Sequence, residues 1–139
     1  MKNLERVLDI QDFSLSFMMG GKNAYAVKNL SLCVNKGEIV GFVGESGCGK
    51  TLTSLSCMGL QPDNAFISGK IDVCGKDISK FSEKQWSDFR GKNISMIFQE
   101  PMSSLNPLKK IGWQIAETGI LHGMTEKEAL EKAFPQPLY

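Results

Sequence analysis

The sequence is short of several things at once. It has one histidine, His122, and four cysteines with no Cys-x-x-Cys pair among them. Zinc ligands come in close-set pairs, and Cys33, Cys48, Cys57 and Cys74 stand far apart, which argues against a zinc site. A disulfide framework goes with secretion, and Met1-Lys2-Asn3-Leu4-Glu5-Arg6 lacks the apolar core of a signal peptide. The four thiols are therefore read as reduced, small apolar side chains of a cytoplasmic protein. Charge of either sign is not in excess: 16 Lys+Arg stand against 15 Asp+Glu, a formal net charge of +1. A nucleic-acid binder needs a basic surface that releases counterions, so no nucleic-acid partner is expected. Long apolar runs are missing too. The longest is a handful of residues around Ile39–Val43, far short of the roughly 20 that cross a bilayer. There is no internal repeat, low-complexity tract or linker. What is left, 139 residues with 42% hydrophobic and 22% charged, has the size and mix of one soluble globular domain.

Along the chain, Leu8 and Ile10 alternate, then Phe13, Leu15 and Phe17 alternate out of phase, which predicts a strand with a bulge or bend over Leu8–Phe17. Met18–Asn23 reads as a turn and Tyr25–Val34 as a second strand, followed by a turn at Asn35-Lys36-Gly37. Turns this short make antiparallel pairs. Ile39–Val43 is apolar on both faces and predicts a buried central strand of an α/β sheet. A short, tightly packed helix is expected over Leu52–Leu60, stopped by Gln61-Pro62-Asp63, and a strand over Ile67–Val73. Ser82-Glu83-Lys84-Gln85 is a capping box that opens a helix carrying Trp86 and Phe89 and ending at Arg90-Gly91. Ile94–Phe98 predicts another apolar strand and Gln99–Pro107 a loop. Ile111–Leu121 predicts a helix. A second capping box at Thr125-Glu126-Lys127-Glu128 opens the last one, with Pro135 and Pro137 as stops.

One segment carries chemistry. Gly44-Glu45-Ser46-Gly47-Cys48-Gly49-Lys50-Thr51 matches GxxxxGK[ST] at every fixed position, between a predicted strand and a predicted helix. A phosphate chain bears several negative charges and needs many donors at short range. Glycines let successive backbone N–H groups turn inward, and the helix that follows adds its free N–H groups, through Leu52, and the positive end of its dipole. Lys50 supplies a mobile ammonium for the β- and γ-phosphates, and Thr51 a hydroxyl for Mg²⁺. Kinases, GTPases, helicases and transporter ATPases all use such a loop, so by itself it does not name a reaction.

The second landmark is Gln99-Glu100-Pro101-Met102-Ser103-Ser104-Leu105-Asn106-Pro107, after the strand predicted at Ile94–Phe98. Together with Gly44–Thr51 it resembles the ATP-binding subunits of ATP-binding cassette (ABC) transporters, and within them the branch that energises uptake of di- and oligopeptides and of nickel. The resemblance runs from about Val7 to Phe134. It implies an α/β fold: part of a P-loop NTPase (RecA-like) core with an N-terminal antiparallel β subdomain. The phosphate loop would lie at 44–51, the Q-loop from 99, and the start of a helical subdomain at about 108–139. It implies ATP and Mg²⁺ as ligands. Gly44, Glu45, Ser46, Gly47, Cys48, Gly49, Lys50, Thr51 and Leu52 would surround the phosphates, and Thr51 and Gln99 would reach Mg²⁺. Phe17 would stack on adenine, with Tyr25 as the alternative ring. The implied partners are the transmembrane permease subunits of an importer and a second ATP-binding subunit, identical or not, at the inner face of the cell membrane.

The resemblance also implies motifs absent after Gln99: a Leu-Ser-Gly-Gly-Gln stretch, an acidic strand end with a general-base glutamate, and a switch histidine. His122 comes too early for that switch. The chain therefore reads as the N-terminal part of such a subunit, truncated before the rest of the sheet. ATP hydrolysis would belong to the longer parent, and this chain would be a binding module or an inactive remnant. Arg90 and Lys92 are assigned solvated surface positions. Trp86, Phe89 and Trp113 are assigned to core, and Met58, Met96 and Met102 are read as gap fillers.

Overall fold

A computed structural model describes residues 5–100 and 105–134. The chain divides into two compact units, one ending at Ser95 and the other starting at Met96.

The first unit is built on a four-stranded antiparallel sheet. Its strands are β1 (Arg6–Met19), β2 (Lys22–Asn35), β3 (Ala65–Val73) and β4 (Lys76–Asp77), in the order β2-β1-β3-β4. The phase slip in the apolar pattern of β1 is a real bulge. Pairing shifts between Ile10 and Phe13 against β2, and between Gln11 and Ser14 against β3. Asp12, inside the bulge, takes a left-handed φ of 48°, and its N–H donates to Ser31 Oγ at 2.9 Å. The extra residue restores the inward direction, so Ile10, Phe13 and Leu15 are all buried although they are not in one period-2 series.

Two helices complete this core, α1 (Lys50–Cys57) and α2 (Glu83–Phe89). Cys57, Trp86 and Phe89 pack with Ile10, Phe13, Leu15, Ile71, Val73 and Ile78. Phe81 meets Trp86 and Phe89 edge-on, with ring centroids 5.3 and 5.2 Å apart. The capping box that opens α2 is formed as expected, Ser82 and Gln85 each satisfying the other's backbone N–H.

The second unit holds α3 (Ile111–Leu121) and α4 (Glu126–Ala133). Ala116 and Ala129 are buried in it. The second capping box is also formed: Thr125 N–H and Oγ–H donate to Glu128 Oε2 at 2.9 and 2.7 Å. Among the described residues, no helix is long and apolar enough to cross a membrane.

Two expected strands are not there. Ile39–Val43 joins no strand among the described residues, with Ile39 98% and Val43 92% exposed. Ile94–Phe98 makes only an isolated bridge from Ile94 to Arg90, and Ile97 is 93% exposed. The reason is the same for both. A strand exists only beside another strand that takes its N–H and C=O groups, and among the described residues none lies beside these segments. Apolar composition on both faces states what a segment would bury, not that a partner is at hand.

Smaller differences have local causes. The helix expected over Leu52–Leu60 starts two residues earlier and ends at Cys57, before Gln61-Pro62-Asp63 is reached. Of the four thiols only Cys57 is buried; Cys33, Cys48 and Cys74 are exposed, because they fall on β2, in the loop before α1 and at the turn after β3, respectively. Burial pushes the Cys57 thiol up to about 11. Trp113 is half-buried rather than core, with the Lys109 ammonium 3.9 Å from its ring centre. Met58 is buried and Met96 half-buried, whereas Met102, Pro135 and Pro137 lie outside the described residues.

Candidate nucleotide-binding site

The loop Gly44–Gly49 sits between the exposed segment 39–43 and the first turn of α1. Its seat is Gly49. This residue is the N-cap of α1, has a left-handed φ of 90° and is buried. A β-carbon there would lie 2.6 Å from Val27 Cγ2 and 2.7 Å from the Ala26 carbonyl oxygen. Only glycine meets both demands, the backbone angle and the close approach to β2. Cys48 N–H donates to Glu45 O at 3.4 Å across the loop.

The helix that follows is open at its N-terminus. Its first backbone bond runs from Thr53 N–H to Gly49 O at 2.9 Å, which leaves Lys50, Thr51 and Leu52 N–H without an intrahelical acceptor. Gly49 has no side chain to cap them, and no acidic residue stands in the first turn. The positive end of the helix is thus uncompensated by the protein, a fit to an anionic ligand. The Lys50 ammonium is folded back on the loop, donating to Gly44 O at 2.7 Å and Glu45 O at 2.6 Å, with Cys48 Sγ at 3.5 Å.

The hydroxyls of α1 divide by role. Thr53 Oγ1 donates to Gly49 O, Ser54 Oγ to Lys50 O and Ser56 Oγ to Leu52 O, each satisfied inside the helix. Thr51 makes no such bond and is exposed beside Lys50. It is the one hydroxyl of this helix, among the described residues, that can turn to an external cation.

The remaining candidates are placed as follows. Glu45, Ser46, Gly47 and Cys48 are exposed along the loop. Phe17, near the end of β1, is half-buried against the core, and it pairs with Ala24 of β2. Tyr25 is 54% exposed, with the Lys28 ammonium 5.5 Å from its ring centre. Gln99 is exposed and belongs to the second unit. In that unit Gln114 braces the chain entering α3. It accepts from Asn106 N–H at 2.7 Å and donates to Asn106 O at 3.0 Å and Lys109 O at 2.9 Å.

Sequence reading also misplaced Arg90. Arg90 is half-buried rather than solvated: its Nε donates to Met58 O at 2.9 Å and its Nη2 to Gly59 O at 3.2 Å. The only signal in the sequence was a basic residue directly after an amphipathic helix, which does not say where the side chain goes. The seat of the loop on Ala26 and Val27 was equally hidden, because those residues look like ordinary strand. Lys92 is exposed, as expected.

Comparison with known proteins agrees with this geometry. Residues 27–135 match the family described as ABC transporter. The chain is 42% identical over 134 residues to the oligopeptide transport ATP-binding protein OppD of Bacillus subtilis, covering 95% of this chain and 37% of that protein. It is 43% identical over 130 residues to the probable D,D-dipeptide transport ATP-binding protein DdpD of Escherichia coli, covering 91% of this chain and 40% of the other. The chain thus spans about two fifths of the length of these curated relatives. Among solved structures, the fold is similar to the ATP-binding cassette MJ0796, a dimer in a post-hydrolysis state bound to ADP and Pi. The TM-score is 0.72 at 21% identity, covering 92% of this chain and 54% of that one. With well over half of its residues inside the family match, the chain belongs to the ABC transporter family.

Proposed function

We propose that this chain is the nucleotide-gripping part of an ATP-binding subunit that energises import of di- or oligopeptides. The observation that carries the reading is the uncapped N-terminus of α1 beside the Lys50 ammonium, at a loop whose GxxxxGK[ST] pattern is complete. Backbone N–H groups of Gly47 through Leu52 and the Lys50 ammonium hold the β- and γ-phosphates. Gly44, Glu45 and Ser46 complete the loop around the phosphates. The Thr51 hydroxyl would hold Mg²⁺, and the ion would supply neutralisation of phosphate charge; Gln99 is proposed as a further Mg²⁺ ligand from the resemblance of its motif alone. Phe17 supplies the ring for adenine, with Tyr25 the alternative. The names of the relatives support peptides as the transported class.

Hydrolysis belongs to the longer parent. Residues from about 108 begin its helical subdomain, and exposed Leu108, Ile111 and Ile115, after the Q-loop, suit contact with a permease subunit. A second ATP-binding subunit completes the assembly at the inner face of the cell membrane.

Thermal unfolding of the chain with and without Mg-ATP tests the reading. An upward shift that Lys50→Ala removes is the expected result. No shift at millimolar Mg-ATP would sink it. Steady ATP turnover by the 139-residue chain, abolished by Lys50→Ala, would overturn the assignment of hydrolysis to the parent.

A further inference from the structure

The amides that face phosphate stand at the N-terminus of α1, so whatever holds the other end of this eight-residue helix also sets where they point. That other end is closed twice. The chain closes it first: Gly59, with a left-handed φ of 64°, donates its N–H to Ser56 O at 3.2 Å, and Leu60 N–H donates to Leu55 O at 2.9 Å. Arg90 closes it from outside, through its two bonds to Met58 O and Gly59 O. Its guanidinium lies 4.8 Å from the Trp86 ring centre. Trp86 in turn backs onto Gly59 so closely that a β-carbon at Gly59 would overlap the indole. The base of the latch is rigid. Arg90 is the C-cap of α2, which has its own capping box and the Phe81–Trp86–Phe89 cluster beneath it.

We infer that Arg90 is a positioning residue for nucleotide binding: it latches the C-terminal end of α1 to α2 and so holds Lys50, Thr51 and the free amides in place for phosphate. This role rests on the function proposed above. A cation at a helix C-terminus also complements the helix dipole. Lysine cannot substitute fully, because a single ammonium has no planar fork to span two successive carbonyls and stack on indole.

The test uses the full chain with Arg90→Lys, Arg90→Ala and, as a control that loses core packing but none of the Arg90 hydrogen bonds, Val73→Ala. Two quantities are read at a temperature where circular dichroism shows every variant folded: amide hydrogen exchange of α1 without nucleotide, and Mg-ATP affinity by displacement of a fluorescent ATP analogue. Both Arg90 variants are expected to exchange faster in α1. Mg-ATP binding is expected to weaken about five- to tenfold in Arg90→Ala and less in Arg90→Lys. Val73→Ala is expected to lower the melting temperature and leave Mg-ATP affinity unchanged. Arg90 variants with unchanged exchange and affinity would overturn the inference. So would a Val73→Ala chain that loses as much affinity per degree of melting temperature, since Arg90 would then act through stability alone. If Arg90→Ala does not fold, Arg90→Lys, which keeps the charge and the stem, decides. Failure of the unsubstituted chain to bind Mg-ATP would overturn the functional reading itself, a result told apart from failure of the latch by α1 exchange.

Discussion

The Lys50 ammonium lies 2.6 Å from the carbonyl oxygen of Glu45, five residues back in its own loop. The lysine is thus held at the phosphate loop by the loop itself, and the same cation can turn to an incoming phosphate without being recruited from solvent. Its removal should cost binding far more than folding, since the ammonium is bonded only within the loop, to two carbonyls and the Cys48 sulfur, and its loss leaves no buried countercharge behind. In Lys50→Ala, the stabilisation by Mg-ATP, about 2.7 kcal/mol at a hundredfold excess over Kd, should vanish while the ligand-free melting temperature moves by only a degree or two.

Gly49 responds differently. An added methyl meets Val27 and the Ala26 carbonyl, and the left-handed backbone is strained for any L residue. Gly49→Ala should lower stability by about 1–3 kcal/mol and also abolish nucleotide binding, because the loop must lift from β2. Denaturant melts with and without Mg-ATP separate the two effects; a variant with wild-type stability would show that the loop is not seated on β2.

Phe13 is fully buried beside the bulge in β1. Truncation to alanine should destabilise the first unit by about 3–5 kcal/mol, measured by urea unfolding followed through Trp86 fluorescence. A loss below about 1 kcal/mol would mean that Phe13 is not in the core.

The thiols should count as three and one. A thiol reagent should label Cys33, Cys48 and Cys74 quickly in the folded chain and Cys57 only on unfolding. Burial raises the Cys57 thiol from 9.0 to about 11, so the unfolded chain releases this proton first. Between about pH 9 and 11 the native state binds more protons than the unfolded one, and stability falls as pH rises. Cys57→Ala should remove that part of the alkaline loss.

At the acid end, hydrogen bonds from the Thr125 hydroxyl and N–H hold the Glu128 carboxyl below its usual range. Its contribution to the start of α4 is therefore present above the ordinary carboxylate value and is lost as pH falls through the lowered one. Glu128→Gln keeps a capping side chain but removes the titration. The helical signal of this variant should change less with acidification than that of the parent chain; identical acid profiles would contradict the assignment.

Much of this was legible in the residues alone, wherever the cause is local. Two capping boxes, the hairpin turn between β1 and β2, the bulge in β1 and the GxxxxGK[ST] loop each depend on side chains within a few positions of one another, and each is found where the pattern puts it. The ABC transporter resemblance rested on the same kind of signal, two contiguous stretches, Gly44–Thr51 and Gln99–Pro107.

Three features were settled only in three dimensions, because they depend on partners far away in the chain. Ile39–Val43 and Ile94–Phe98 have the composition of buried strands, yet backbone groups pair only where another strand runs alongside. Val27 and Ala26 became the seat of the phosphate loop because β2 passes under Gly49, 22 residues later than Val27. Arg90 left the solvated surface because α2 delivers it to the two open carbonyls at the end of α1. The residues proposed to capture phosphate are neighbours in the sequence; the contacts that seat them, to β2 and to α2, join segments that the linear order keeps apart.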